Sequence, residues 1–355
     1  MVFRRKKSVV GLDIGSSVVK AVELTLDGPD PTVTGFARAE IPPGGNVREA
    51  IDACLKAGRF KSKKVVTSVC GQNVVVRYVP MPKMSDHEMR QAIRFETDKY
   101  LPFDLDEVML DMQPLKRAPS TASGDRAKGG TDQVMVLLAA CKTQAVEEKI
   151  QLCQEHGLSP IAIDVDLFAL ANAWELCSAT PDDETNTEGG AQRAFALVDV
   201  GATRTSINVV CGGETCFSRE INMGGQDMTA AVARRLGLEV FEAEAMKRNA
   251  ESHELEVNTA IGPVLEDLVS ELSLSLDYVE HHEGVTVDQI LLSGGGILAP
   301  GASNYIEQAT GRTTRTWNPL EGLRVDSDRV NVEELEAWAS TLVVALGLAS
   351  RVRSE

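Results

Sequence analysis

The sequence predicts a two-part α/β fold in which each part opens on a β-hairpin. Three stretches predict it. Residues 9–24 read Val-Val-Gly-Leu-Asp-Ile-Gly-Ser-Ser-Val-Val-Lys-Ala-Val-Glu-Leu. Val9, Val10, Leu12 and Ile14 form an apolar, β-branched run. Gly15, Ser16 and Ser17 make a tight polar turn, and Val18 to Leu24 returns. The pattern recurs: Phe195 to Val200 is apolar, Gly201-Ala202-Thr203 turns, and Ser206 to Cys211 returns. The third stretch is a short strand, Gln289 to Leu292, followed by Ser293-Gly-Gly-Gly-Ile-Leu-Ala-Pro-Gly301. Three consecutive glycines let a backbone pass a flat ligand where a Cβ would clash. Two related halves of this kind would grip one nucleotide in the cleft between them.

The first hairpin carries charge at defined places. Asp13 ends the outgoing strand and Lys20 lies two residues into the return strand. Backbone N–H groups of Gly15, Ser16 and Ser17 and the Lys20 ammonium can face phosphate oxygens, while Asp13 can hold a hydrated Mg²⁺. Taken alone, an ordinary hairpin with a buried aspartate reads the same way. The downstream companions, Asp199-Val-Gly-Ala-Thr203 and Ser293-Gly-Gly-Gly296, give it weight.

Composition narrows the partners. A chain of 355 residues is long enough for two or three domains, each with its own core. Its 43% apolar and 25% charged residues are those of a soluble globular protein. The formal net charge of −16 argues against nucleic acid, which needs a basic face. No apolar window is long enough for a transmembrane helix, and Asp13 interrupts the run after Arg4-Arg5-Lys6-Lys7 too soon for a signal peptide. The basic run reads as a solvated tail. Seven cysteines without paired spacing predict reduced, mostly buried thiols in a cytosolic protein.

The elements follow in order. Residues 31–41 read as a strand, and Asn46 caps a helix over Val47, Ile51, Cys54 and Leu55 that ends at Gly58. Val65 to Cys70 and Val74 to Val79 are strands around a Gly71-Gln-Asn73 turn. Ser85 and Glu88 form a capping box for a helix running to Tyr100 and stopped by Pro102. Val108 to Leu115 and Val134 to Cys141 are strands, with a mobile loop expected at 118–131. A helix from Thr143 to Glu155 completes a βαββα unit over residues 74–158. Residues 161–166 read as a strand and Leu167 to Leu176 as a helix. Residues 179–192, polar and acidic, form the best boundary between the halves. Helices are expected over Gln226 to Leu236, Glu239 to Lys247, Ile261 to His281 and Trp338 to Ser350.

These motifs resemble those of the actin-like ATPase superfamily, which includes actin, sugar kinases and FtsA. Asp13-x-Gly-Ser-x-x-x-Lys20 resembles its first phosphate motif and Asp199-x-Gly-x-Thr203 its second. Leu291-Leu-Ser-Gly-Gly-Gly-x-x-x-Pro-Gly301 resembles its adenosine motif. The helical stretches after Ile163 and Trp338 fit its two connecting helices. Gly225 and the pair Glu244 and Lys247 fit the ribose and adenine side of the pocket. Within the superfamily the chain is most similar to the PilM family of type IV pilus assembly. That similarity is carried by the basic start before Gly11-Leu-Asp-Ile-Gly-Ser-Ser17 and by Val79-Pro-Met-Pro-Lys-Met84 with the helix ending Lys99-Tyr-Leu-Pro-Phe103.

The resemblance implies an actin-like, ribonuclease H-like two-domain fold with an insertion called subdomain 1C. It divides the chain into 1–73 (1A), 74–158 (1C), 159–180 (1A again), 194–230 (2A), 231–284 (2B) and 285–355 (2A). It implies ATP bound with Mg²⁺ by Asp13, Gly15, Ser16, Ser17, Lys20, Asp199, Gly201, Ala202, Thr203, Gly225, Glu244, Lys247, Gly294, Gly295 and Gly296. Asp13 and Asp199 would reach the metal through water. It also implies a cytoplasmic protein, peripheral at the inner membrane through a partner, that docks the N-terminal peptide of the membrane protein PilN between 1A and 1C. Arg94, Lys99, Tyr100 and Phe103 are candidates for that contact. Other pilus inner-membrane components, a motor ATPase and self-association are further candidate interactions, in pilus biogenesis and twitching motility.

Two departures limit the chemistry implied. Ala202 stands where many relatives carry Gly or Asp. Asp166, with Asp164 as second choice, is the best match for the residue that orients the attacking water, but Asp is short. Capping the helix from Leu167 is an equally good role for it. ATP binding is therefore better supported than hydrolysis, and at most a slow ATPase is expected. Two other classes compete. A small-molecule kinase of the superfamily would need a polar loop bearing a base, which is not found. An FtsA-like filament former would need an amphipathic tail after Arg351-Val-Arg-Ser-Glu355.

Overall fold

The computed structural model describes residues 8–26, 30–42, 44–96, 99–116, 133–177, 192–250 and 252–351. The basic run Arg4–Lys7, the expected loop at 118–131 and all but the last residue of the boundary segment 179–192 lie outside them. The chain opens with β1 (Ser8–Ile14), β2 (Val18–Thr25), β3 (Thr32–Glu40), α1 (Val47–Gly58) and β4 (Lys64–Val69). Next come β5 (Val74–Pro82), α2 (Asp86–Glu96), β6 (Val108–Pro114), β7 (Gln133–Lys142) and α3 (Thr143–Glu155). β8 (Ser159–Val165) and α4 (Asp166–Cys177) follow. The remainder is β9 (Gln192–Val200), β10 (Thr205–Cys211), β11 (Glu214–Ile221), α5 (Gly225–Leu236), α6 (Val240–Arg248), α7 (Glu254–Glu283) and β12 (Val285–Ser293). It ends with α8 (Ala302–Thr310), β13 (Thr313–Thr316), β14 (Arg324–Val325), α9 (Val332–Ala337) and α10 (Val343–Ser350).

Three sheets result, with strand orders β14-β3-β2-β1-β4-β8, β11-β10-β9-β12-β13 and β5-β7-β6. β1 and β9 lie inside their sheets, each with one antiparallel and one parallel neighbour. Both sides of such a strand are covered, so β1 is a continuous apolar run rather than an alternating one. β14 pairs with β3, so the chain returns to the first sheet before α10.

Local signals read from the sequence have physical counterparts. The Asn46 side chain accepts from Arg48 N at 3.0 Å and starts α1. Ser85 N donates to Glu88 Oε2 at 2.9 Å and Glu88 N to Ser85 Oγ at 3.4 Å, the reciprocal pair of a capping box. Met89 and Ile93 then point from α2 into the core of the three-stranded sheet.

Three helices differ from the sequence reading. The described part of α2 ends at Glu96, short of Tyr100. α7 begins at Glu254 rather than Ile261 and runs for 30 residues through Pro263. Pro263 withdraws a donor from the carbonyl of Thr259, which is exposed and can turn to water. The last helix does not begin at Trp338, which instead closes α9. A 3₁₀ turn, Ala339–Thr341, precedes α10. The reason is local: Gly294 N takes the Ser340 carbonyl at 2.9 Å and Lys20 Nζ takes that of Thr341 at 3.0 Å. Those two carbonyls are thereby engaged outside a helical ladder.

α4 and α10 form the layer between the two larger sheets. One core joins Val9 and Val66 of the first sheet, Leu197, Val210 and Leu291 of the second, and apolar side chains of both helices. All of α10 is buried. A Cβ on Gly347 would lie 1.8 Å from Ala169 O, and one on Gly11 would lie 1.9 Å from Ala345 O. Backbones that close exclude any side chain. Gly347→Ala should therefore cost about 1–3 kcal/mol through overpacking. Gly262→Ala on α7, where a Cβ meets nothing within 4 Å, should be neutral or stabilise by up to about 1 kcal/mol. Urea unfolding midpoints of the two variants check both.

Candidate functional site

The β1–β2 register sets Asp13 directly opposite Lys20. Their side chains form an ion pair of 2.6 Å at the end of the hairpin. The turn closes with Gly15 N donating to Val18 O at 3.2 Å, and a Cβ on Gly15 would sit 2.8 Å from that oxygen. Burial works to lower the Lys20 pKa, but Asp13, Asp199 and Asp166 outweigh it, so the ammonium titrates above its ordinary value. Lys20 is therefore a permanent cation.

The β9–β10 hairpin repeats this construction. Gly201 N donates to Arg204 O at 2.8 Å. The two turns face each other, with Ser16 Oγ and Thr203 Oγ1 3.1 Å apart. Helix α5 rests its first turn on the second hairpin: Gly225 N donates to Gly201 O at 2.9 Å and Gln226 N to Ala202 O at 2.7 Å. Ala202 thus contributes backbone only. Gln226 Nε2 reaches Ser17 Oγ at 3.0 Å.

Asp199 accepts from Ser293 Oγ at 2.8 Å. Its pKa is raised, chiefly by burial, against the pull of Lys20. The three glycines after Ser293 divide by role. A Cβ on Gly294, whose φ is +89°, would lie 2.3 Å from Val200 O, and one on Gly296 2.4 Å from Val200 Cγ1. Packing on β9 demands both glycines. Gly295 alone of the three has open space where its Cβ would be.

Asp166 opens α4, and its pKa is pushed up to about 6, first by burial and then by Asp13. Hydrogen bonds from Ser68 and Cys70 oppose the shift. Asp164 is committed elsewhere: it accepts from Val165 N at 2.8 Å and Asn172 Nδ2 at 3.1 Å, and pairs with Arg351 at 3.2 Å. The electrostatic contacts thus gather Asp13, Asp166, Asp199 and Lys20 and leave Asp164 out. Three carboxylates surround one ammonium, a donor set that suits a divalent cation. Among the described residues no three His, Cys, Asp or Glu side chains are close enough to hold an ion directly, so an ion held there would have to keep its water shell.

The remaining candidates lie on α5 and α6. Lys247 is buried and donates to Gly225 O at 2.8 Å, Thr229 Oγ1 at 2.6 Å and Glu244 Oε2 at 2.7 Å. Burial lowers its pKa, with Glu244 opposing. Burial would raise Glu244, but bonds from Lys247 and Thr229 hold it below the usual range. Arg248 joins Glu244 to Glu40 of β3, at 2.7 Å on each side. Gly225, Glu244 and Lys247 therefore form one unit.

The partner candidates sit on the three-stranded sheet and its helices. Arg94 and Lys99 are exposed, Tyr100 packs against the core of that sheet, and Lys142 Nζ lies 5.2 Å from the centre of the Phe103 ring. Sequence reading missed Ser68, Cys70, Thr229 and Thr341, each bonded to a candidate site side chain. Ser68 and Cys70 carried a signal, since small polar residues ended a parallel strand beside a glycine turn.

A family model described as type IV pilus assembly protein PilM matches residues 11–353. The chain belongs to this family. A solved structure of a PilM-PilN type IV pilus biogenesis complex is 30% identical, with a TM-score of 0.81, over 97% of this chain and 98% of that one. Ethanolamine utilization protein EutJ from Carboxydothermus hydrogenoformans has a TM-score of 0.53 at 14% identity, over 97% of this chain and 89% of that one, a likeness of fold alone. Its namesake from Escherichia coli (strain K12) is 31% identical over 115 residues, which is 32% of this chain and 37% of that protein. This PilM-family chain is thus a type IV pilus assembly protein with the actin-like two-domain α/β fold. Among its described residues no helix is long and apolar enough to cross a membrane.

The raised Asp166 pKa has a definite sign for stability. Between the ordinary carboxyl value and about 6 the folded chain binds more protons at Asp166 than the unfolded chain does. Its ionisation therefore lowers stability as pH rises through that window. Asp166→Asn should gain on the parent in urea midpoint from about pH 4 upward and hold its full advantage above about pH 6. A gap that does not change with pH would show that the carboxyl is not strained.

Proposed function

We propose that this chain is a nucleotide-loaded adaptor: it binds ATP with Mg²⁺ between its two halves and docks the cytoplasmic N-terminal peptide of PilN. The observation that carries the first part is the convergence of two closed phosphate turns, one half-buried ammonium and three carboxylates. In this reading Lys20 and the turn amides of Ser16, Ser17, Ala202 and Thr203 hold phosphate oxygens. Asp13 and Asp199 hold the water shell of Mg²⁺, which when bound neutralises phosphate charge. Glu244 and Lys247 serve the ribose and adenine side, and the open face of Gly295 leaves the nucleoside room. Asp166 orients water, but as a short side chain held by Ser68 and Cys70 it does so poorly. Turnover should fall far below the typical enzyme rate of about 10 s⁻¹.

The peptide groove is supported by a cavity of about 400 Å³ between α3 and β8, lined by Ile150, Gln154, Leu158, Ile161, Ala162 and Ile163. β8 is the last strand of its sheet, so an edge and an apolar floor lie together. Ile161 is 43% exposed there. Such a groove takes a short extended peptide with apolar anchors. None of Arg94, Lys99, Tyr100 and Phe103 lines it. Attachment to the inner membrane then comes through the peptide's own protein.

Two experiments test the two parts. Mg-ATP at one hundred times its Kd should stabilise protein stripped of nucleotide by about 2.7 kcal/mol. Lys20→Ala should weaken ATP binding by about 1.5–3 kcal/mol. An unchanged melting temperature in millimolar Mg-ATP would refute the cleft assignment. For the groove, Ile161→Glu should weaken binding of a labelled PilN N-terminal peptide more than about tenfold, since a charge replaces an apolar contact. ATP binding should survive. If the double change Arg94→Glu and Lys99→Glu abolishes peptide binding and Ile161→Glu does not, the peptide lies on α2 instead.

A further inference from the structure

The short 3₁₀ link Gly71–Asn73 joins β4 of the first sheet to β5 of the three-stranded sheet. It is held by the second half of the molecule. Arg204 Nη1 donates to Cys70 Sγ at 2.9 Å, and Gly71 N donates to Glu220 Oε2 at 2.7 Å. Gly71 has φ of +76°, and a Cβ there would meet the Arg204 guanidinium carbon at 2.9 Å, so Arg204 is packed flat on the link. Further along, Tyr78 Oη and Ser218 Oγ are 2.9 Å apart, and Lys116 N meets the Glu214 carboxylate at 3.0 Å.

Arg204 is not a remote residue. Its carbonyl closes the second phosphate turn, and Thr203 and Ala202 precede it directly. Glu220 lies opposite Ser206 in the β10–β11 ladder, two residues beyond Arg204. Any adjustment of residues 201–204 around a ligand must pass into the Arg204 side chain, and its other end is seated on the root of the three-stranded unit. On the first-half side Cys70 also bonds Asp166, so the link touches the carboxylate cluster from below.

We propose that Arg204 and Glu220 are positioning residues that report occupancy of the second phosphate turn to the three-stranded unit through Cys70 and Gly71. This rests on the reading that ATP occupies the cleft. β7 of that unit runs directly into α3, one wall of the peptide groove, so the groove becomes responsive to nucleotide. By thermodynamic reciprocity, a peptide that fixes the unit also changes ATP affinity.

Amide hydrogen exchange on the full chain tests this without any partner. Mg-ATP should slow exchange of the Val74–Pro82 amides about tenfold in the parent, as expected for a local opening made less frequent. In Arg204→Ala that slowing should vanish while ATP affinity stays within about threefold. Glu220→Ala, which lies off the turn, should lose it too. Cys70→Ser should retain it, because a hydroxyl still accepts from Arg204. The tie is refuted if the variants that bind ATP keep the nucleotide-dependent protection of β5. It is equally refuted if ATP binds the parent and β5 exchange does not change. Failure of ATP to bind the parent at all would overturn the cleft reading and this inference with it.

Discussion

Two helices packed to backbone contact hold the two halves in register. The contacts of Gly347 with Ala169 and of Gly11 with Ala345 leave no room for a side chain. The first half therefore approaches the shared layer, and the two helices approach each other, as closely as polypeptide allows. This places the ends of β1 and β9 across from one another, with Asp13 on one and Asp199 on the other. It also fixes where α10 can start. The chain before it must leave the Thr341 carbonyl available to Lys20 and the Ser340 carbonyl to Gly294. Backbone packing at the centre thus decides the electrostatics at the rim.

Those electrostatics are poorly balanced from the standpoint of folding alone. Three carboxylates face one ammonium, and burial pushes Asp166 and Asp199 upward while the surrounding anions push Lys20 upward as well. A buried carboxylate near another is costly unless a cation joins it. The Glu244–Lys247 pair shows the contrast. There each charge has a partner, and Thr229 satisfies both. The second arrangement, on the ribose and adenine side of the same cleft, is satisfied before any ligand arrives. The first has the character of a site, where local cost is tolerated because a ligand relieves it.

How far the sequence was legible follows from where the constraints act. The hairpins, the Asn46 cap and the Ser85–Glu88 box are local, so residue type and spacing specify them. The glycine triplet was legible as a close approach, but the structure divides its cause: Gly294 and Gly296 are spent on β9, and only Gly295 faces open space. What stayed hidden is long-range. β11, β13 and β14 are edge strands with few buried apolar positions, so they lack a clear alternating pattern. The break before α10 depends on Lys20, more than three hundred residues away in the chain. The Cys70–Arg204 contact joins residues that no periodicity connects.

The strengths of the contacts also assign the molecule a pivot. At the mouth of the cleft the halves meet through Ser16 with Thr203, Gln226 with Ser17, and Glu40 with Arg248. The last is an ion pair with side chains 53% and 42% exposed, a class worth about 0–1 kcal/mol. Exposed hydrogen bonds add about 0.5–1.5 kcal/mol each at most. At the centre, Val343, Val344, Leu348, Leu170 and their neighbours in both sheets are buried, and each large side chain contributes about 1.5–3 kcal/mol. Opening the mouth therefore costs little beside disturbing the helix pair. A ligand with a few charge-assisted bonds to both turns can outweigh every contact at the rim, while none it could make rivals those at the hinge. A ligand between the turns would thus bear on the rim contacts before the helix pair, and Arg204, bonded to Cys70 on one side and closing the Gly201 turn on the other, stands between the two halves at that rim.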